Sequence, residues 1–139
     1  MTKNNHTILH IEDNFENRVL VRRLLQFAGF DIHEAENAYD ALEQLESVTP
    51  DIILMDINMP DIDGYSLTRQ LKSNIKFRNV PIIAITANVM KGDREKSFLA
   101  GCDGYIDKPI NVDSFIDQIE GFLSRFNPRK QVNNNKRKL

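Results

Sequence analysis

Two apolar runs in this 139-residue chain end in acids, one ends in a threonine, and one short run leads into a lysine. Glu12-Asp13 follow Ile8, Leu9 and Ile11. Asp56 closes Ile52-Ile53-Leu54-Met55, Thr86 closes Ile82-Ile83-Ala84-Ile85, and Lys108-Pro109 follow Tyr105-Ile106-Asp107. Three carboxylates gathered at one place repel and raise one another's pKa unless a cation sits among them. Mg²⁺ suits such a group, because it takes oxygen ligands, keeps waters, and works with one or two carboxylates plus phosphate oxygens. Asp56, half buried by its apolar neighbours, needs a partner to stay ionised, and Lys108 supplies positive charge. An aspartate held in this way can attack phosphorus to give an aspartyl phosphate, while the metal and the lysine neutralise the phosphoryl oxygens. No G-x-x-x-x-G-K-S/T is present, and glycines 29, 64, 92, 101, 104 and 121 cannot spell G-x-G-x-x-G. The phosphoryl donor must therefore come from outside the chain.

Each of these residues also has a bland reading. A lone carboxylate is often a helix N-cap or a solvated loop acid, and Asp13 could help Asn14 start a helix. Thr86 is an ordinary β-branched strand residue by propensity, and Lys108 could be a solvated surface lysine. What favours the joint reading is the set of elements that must carry them. Short apolar runs alternate with amphipathic stretches five times, which predicts βα units stacked into a parallel sheet covered on both faces. Strands are expected at Thr7 to Glu12, Asp31 to Ala35, Asp51 to Asp56, Pro81 to Thr86 and Gly104 to Asp107. Val21, Leu24, Leu25 and Ala28 mark a first helix, stopped by Gly29. Asn37 with Asp40 opens a second, reaching to about Val48 before Pro50. A third runs from Gly64 to about Ser73 and a fourth from about Lys91 to Gly101. The fifth carries the stripe Val112, Phe115, Ile116, Ile119, Phe122, Leu123 and Phe126. In open parallel sheets ligands bind beyond the carboxyl ends of the strands. Four of these strands deliver polar groups to that one edge.

The length fits one domain, and 41% hydrophobic with 27% charged residues is ordinary for a globular chain. No apolar run approaches the roughly 18 residues that span a bilayer, and the opening Met-Thr-Lys-Asn-Asn-His lacks an apolar signal region. A single cysteine, Cys102, fits a reducing cytoplasm. The net charge of −2 is unevenly distributed: all 20 acids precede residue 127, whereas Asn127 to Leu139 hold five Lys and Arg and no acid. An acidic body over 1–126 disfavours a general nucleic-acid surface. The stretch 127–139 reads as a basic, disordered tail.

Taken together, Glu12-Asp13-Asn14, then Leu54-Met55-Asp56-Ile57-Asn58-Met59-Pro60-Asp61-Ile62-Asp63-Gly64, then Thr86-Ala87 and Lys108-Pro109 resemble, in order and spacing, the receiver domain of two-component response regulators. The likeness covers about Thr7 to Phe126. Around Thr86-Ala87-Asn88-Val89-Met90-Lys91-Gly92-Asp93 the chain is similar to stand-alone cell-cycle regulators and to receivers attached to hybrid sensor kinases. The resemblance implies a flavodoxin-like (βα)5 fold, doubly wound, with a five-stranded parallel sheet in the order 2-1-3-4-5. Asp56 would be the phospho-acceptor. Asp13, Asp56 and the Asn58 carbonyl would hold Mg²⁺, or Mn²⁺ in its place, with Glu12 acting through water. Lys108 and the Thr86 hydroxyl would take phosphoryl oxygens. Ala87 leaves the acyl phosphate open to water, and Thr86 with Tyr105 would form the switch. Lys108-Pro109 matches a bond that is usually cis, and Gly64 a turn that needs φ > 0. Glu12 departs from the more common aspartate, and Asn58 and Asn88 occupy positions that tune phosphoryl lifetime.

In function, the resemblance implies a bacterial, cytoplasmic signalling switch with its own self-phosphorylation and self-dephosphorylation chemistry, not an enzyme. A histidine kinase or phosphotransfer protein would donate the phosphoryl group. Added charge at Asp56 would rearrange the strand 4/helix 4/strand 5/helix 5 face for a protein reader. Neither a DNA-binding domain nor a transmembrane segment is expected, and the state would be a monomer or weak dimer. The alternative is a receiver excised from a hybrid histidine kinase or larger regulator, against which a start at Met1 counts mildly. A haloacid-dehalogenase-type phosphatase is disfavoured, because Asp56-Ile57-Asn58 lacks the second aspartate of Asp-x-Asp. A Ca²⁺ loop with Gly64 sixth would begin on Met59 and end on Gln70, which excludes it. His10 reads as a packed core histidine, His6 and His33 as exposed, and Cys102 as a small residue in a turn.

Overall fold

The computed structural model describes residues 6–59, 64–87 and 91–126. Five strands and five helices alternate through them: β1 (Thr7–Ile11), α1 (Phe15–Phe27), β2 (Asp31–Ala35), α2 (Ala38–Leu45), β3 (Ile52–Asp56), α3 (Gly64–Lys72), β4 (Ile82–Thr86), α4 (Lys91–Ala100), β5 (Gly104–Asp107) and α5 (Phe115–Phe126). The strands are all parallel, in the order β2-β1-β3-β4-β5. This is the doubly wound, flavodoxin-like order expected from the sequence. The order reverses between β1 and β3, the place where such sheets open a crevice.

Alternation along the strands feeds two cores. Leu9, Ile11, Ile53, Met55, Ile82 and Ala84 pack with Ala41 and Leu45 of α2 and Leu67 and Leu71 of α3. Their neighbours Ile8, Ile52, Leu54, Ile83 and Ile85 face the other way, against Val21 and Leu25 of α1 and Phe115, Ile119 and Leu123 of α5. Each fully buried Val, Leu, Ile, Met or Phe among them contributes about 1.5–3 kcal/mol from its removal from water. The helix ends are set locally. The side-chain oxygens of Asn14 and Asn37 accept from the N–H of Asn17 and Asp40, both at 2.8 Å, and Gly29 terminates α1 with φ 91°.

Several local expectations change. β1 ends at Ile11 rather than Glu12, and β3 and β4 begin at Ile52 and Ile82. α2 stops at Leu45, short of Val48, where tight Glu46-to-Glu43 and Ser47-to-Gln44 bonds close the last turn. Val112 is exposed and lies ahead of α5, because Asn111 folds the chain into a turn by accepting from the N–H of Asp113 and Ser114. His6 is buried rather than exposed, its ring beside the buried Phe30 at 6.4 Å between centroids. His33 is partly buried, its Nε2 at 3.4 Å from Asp31. Cys102 is buried against Thr68, and burial pushes its thiol up to about 11. Pro60, Asp61, Ile62 and Asp63, then Asn88, Val89 and Met90, and the basic tail 127–139 all lie outside the described residues.

Candidate functional site

The carboxyl ends of β1, β3, β4 and β5 converge, and each delivers a polar residue. Glu12 follows β1. Its N–H donates to Ala35 O at 2.9 Å, continuing the ladder past the strand, and its carbonyl accepts from Arg18 Nη1 at 2.7 Å. The side chain turns inward to 1% exposure. There Oε2 accepts from the Asn14 N–H at 3.3 Å and Oε1 pairs with Lys108 Nζ at 3.0 Å.

Asp56 ends β3 and is 2% exposed, deeper than the half burial expected. Its Oδ1 accepts from the Asn58 N–H at 3.1 Å and faces Lys108 Nζ at 3.4 Å. The first residue of α3 presses on this strand end. A Cβ on Gly64 would stand 2.7 Å from Asp56 O and 2.8 Å from Ile57 Cα, closer than real contacts allow. Gly64 does not have positive φ, contrary to the expectation. What it supplies is the absence of a side chain where backbone meets backbone.

Thr86 is buried at the end of β4, in register with Asp107, and its carbonyl accepts from the Lys108 N–H at 2.8 Å. That bond anchors the backbone from which the Lys108 side chain reaches across to β1 and β3. The Lys108–Pro109 peptide is cis. Ala87 and Asn58 are exposed at the rim. Tyr105 on β5 is half buried against the α2/α3-side core, and the Arg94 guanidinium of α4 lies 4.8 Å above its ring.

The electrostatics are unbalanced. Glu12, Asp13 and Asp56 each offer a carboxylate oxygen within 4.8 Å of the others, two of the residues buried and Asp13 exposed. Among the described residues, one lysine serves them. Burial, with hydrogen bonding to Asp56 and its charge, pushes Glu12 up to about 7, against the opposing pull of Lys108. Burial alone would lower Lys108, but hydrogen bonds and charge from Glu12 and Asp56 outweigh it and hold the ammonium form. His10 is fully buried with neither ring nitrogen hydrogen-bonded among the described residues, and burial, then Lys108, lowers it to about 3. An all-oxygen, over-acidic cluster with one solvent-facing member has the donors that a hard divalent cation takes. Magnesium fits these residues.

Sequence reasoning singled out the acids, Asn58, Thr86, Ala87 and Lys108, which the fold brings to one edge, and Tyr105, which lies inside β5 opposite Ala84. It missed Arg18 and Arg94. Arg18 could have been noticed, because it shares the i, i+3, i+7 stripe of the buried Val21 and Leu25.

Comparison with known proteins identifies the family. A family model described as the response regulator receiver domain matches residues 8–120. The chain is 39% identical over 117 residues to the polar-differentiation response regulator DivK of Brucella anthropi, covering 84% of this chain and 95% of that protein. It is also 39% identical over 123 residues to the DivK of Brucella ovis, covering 88% and 98%. Among solved structures, the receiver domain of a Pseudomonas aeruginosa sensor histidine kinase aligns with TM-score 0.76 and 34% identity, over 88% of this chain and 98% of that one. That domain was solved with a magnesium ion coordinated in its active-site cleft. A response regulator from Chloroflexus aurantiacus aligns with TM-score 0.82 and 26% identity, over 87% and 99%.

Proposed function

Since the chain belongs to the response regulator receiver domains, the switches of two-component phosphorelay signalling, we propose that Asp56 is the residue that stores its signal. The observation that carries this is Asp56 itself. It is an acid buried at a strand end, with one oxygen held by a backbone N–H and facing a lysine that also binds Glu12. Held there, an Asp56 oxygen attacks the phosphorus of a phosphohistidine on a histidine kinase or phosphotransfer protein. The P–O bond forms, the P–N bond breaks, and the imidazole leaves with the electron pair. Lys108 meets the charge on a phosphoryl oxygen, and the Thr86 hydroxyl donates to another. Asp13, Asp56 and the Asn58 carbonyl would hold Mg²⁺, or Mn²⁺ in its place, with Glu12 acting through water; bound there, the metal would supply charge stabilisation to the transferring group. Exposed Ala87 leaves the acyl phosphate open to water, so the protein can also dephosphorylate itself.

Drawing Thr86 toward the phosphoryl group draws Tyr105 with it, and the β4/α4/β5/α5 face reports the change to a protein reader. The switch is a monomer or weak dimer in that reading. Among the described residues no helix is long and apolar enough to cross a membrane. We place the protein in the cytoplasm, where Cys102 stays reduced. The test is incubation with acetyl phosphate, with and without Mg²⁺, followed by intact-mass measurement. A gain of one phosphoryl group is expected in the wild type, lost in Asp56→Asn and in EDTA. An unmodified wild type would remove the centre of the proposal.

A further inference from the structure

Arg18 is drawn inward on α1 until its side chain is only 14% exposed. A guanidinium that far from water must be partnered. Nη1 donates to the carbonyl of Glu12 at 2.7 Å, Nη2 stands 3.8 Å from Glu36 Oε2, and the group lies 5.8 Å over the Phe15 ring. The carbonyl it grips belongs to the planar peptide unit joining Glu12 to Asp13. With the Glu12 N–H held by Ala35 O on β2, the backbone is clamped on both sides just before Asp13. Asp13 needs that help: it is exposed, it lies in the connection between β1 and α1, and no side chain among the described residues orients its carboxylate.

We propose that Arg18 is a positioning residue for the metal-holding carboxylates, aiming Asp13 through the Glu12–Asp13 peptide. The inference rests on the reading of Glu12, Asp13 and Asp56 as a Mg²⁺ site. The sign of the effect separates positioning from charge. A cation beside a cation site repels the metal, so if Arg18 acted by charge alone its removal would tighten Mg²⁺ binding. Loss of positioning weakens it.

The experiment titrates the full chain and its Arg18→Met, Arg18→Lys and Glu36→Gln variants with Mg²⁺ by calorimetry, with thermal unfolding followed in parallel. Arg18→Met should bind about tenfold more weakly, the scale seen when supports behind metal ligands are removed. Arg18→Lys should recover part of this, because an ammonium reaches the carbonyl but cannot span the fork to Glu36. Glu36→Gln, which loses the charge but keeps an oxygen acceptor in the same place, should change little. At saturating Mg²⁺, phosphoryl uptake from acetyl phosphate should stay within about twofold of wild type, as for a residue that acts on binding alone. Unchanged or tighter Mg²⁺ binding by folded Arg18→Met overturns the proposal. Should that variant fail to fold, Arg18→Lys carries the test, and wild-type affinity there overturns it. A wild type that binds no Mg²⁺ refutes the metal site itself, and the positioning role with it.

Discussion

The two edges of the sheet each pair lysine with acid, and they do so to opposite ends. At the amino ends of the strands, Lys72 Nζ donates to Asp103 Oδ2 at 2.8 Å, to Val80 O at 2.8 Å and to Arg78 O at 3.3 Å. The same Asp103 oxygen accepts from the Ile82 N–H at 2.8 Å. One acid meets one lysine, each has further partners, and the group ties α3 to the start of β4. At the carboxyl ends, Lys108 is shared by Glu12 and Asp56 with Asp13 beside them, and Glu12 responds by holding its proton up to about pH 7. The residue types match; the stoichiometry does not. A balanced pair is a fastener, whereas a surplus of buried negative charge is a demand for a cation.

Removing each lysine breaks the comparison most directly. Lys108→Met should lower the rate of phosphoryl uptake by roughly 10²-fold, as for loss of one preorganised donor to developing charge. Lys72→Met should leave that rate alone. Acetyl-phosphate labelling time courses on the two variants decide it, and equal rates would erase the distinction between the edges. Mg²⁺ should act on one edge only: at 100 times its dissociation constant it should add about 2.7 kcal/mol of stability, read from urea unfolding and reversed by EDTA. Asp13→Asn should reduce that gain and Asp103→Asn should not. The balanced edge should show its worth in stability. Lys72→Met, which leaves a half-buried acid and two carbonyls without their partner, should cost about 2 kcal/mol, measured as an earlier urea midpoint.

The smallest net effect in the wild type, because two opposing slopes cancel, is in the pH profile of the Mg²⁺-free protein. Glu12 titrates near 4.5 when unfolded and about 7 when folded, so the native state binds the extra proton and stability falls as pH climbs through that window. His10 has the opposite sign. The unfolded chain takes up a proton below about 6.5 that the fold refuses down to about 3, so stability rises with pH across that range. The slopes oppose each other between pH 4.5 and 6.5. Relative to wild type, Glu12→Gln should steepen the rise of the urea midpoint across this interval and His10→Leu should tilt it downward. Superimposable profiles would mean that neither group is coupled to folding.

Much of the fold was open to reading because its signals are local. Apolar runs of strand length, the caps Asn14 and Asn37, and the stop at Gly29 need no distant partner to act. Where long-range packing decides, the reading went astray. His6 looks like part of a polar terminus, yet Phe30 covers it. Val112 continues the α5 stripe in sequence, but Asn111 caps a turn there and leaves it outside. Gly64 invites a conformational reason, and the true one is an approach of α3 to the β3 backbone that only the packed fold creates. Arg18 carries no motif, and its importance depends on a carbonyl six residues back that the helix happens to overlie.

By itself the sequence determined which groups reach the carboxyl edge of a parallel sheet. Alternation and strand length are one-dimensional properties, and a strand's last residue is written in the chain. Only the tertiary structure decided how those groups share charge. That Lys108 spans to both Glu12 and Asp56, that Asp13 is left facing solvent, and that a satisfied Lys72–Asp103 pair closes the opposite edge all depend on distances between residues far apart in sequence. Coulomb energies follow separation and burial rather than order along the chain. Asp56 was visible as an acid in an apolar run; the lysine 3.4 Å away and the crowding around it became visible only when the strands were laid side by side.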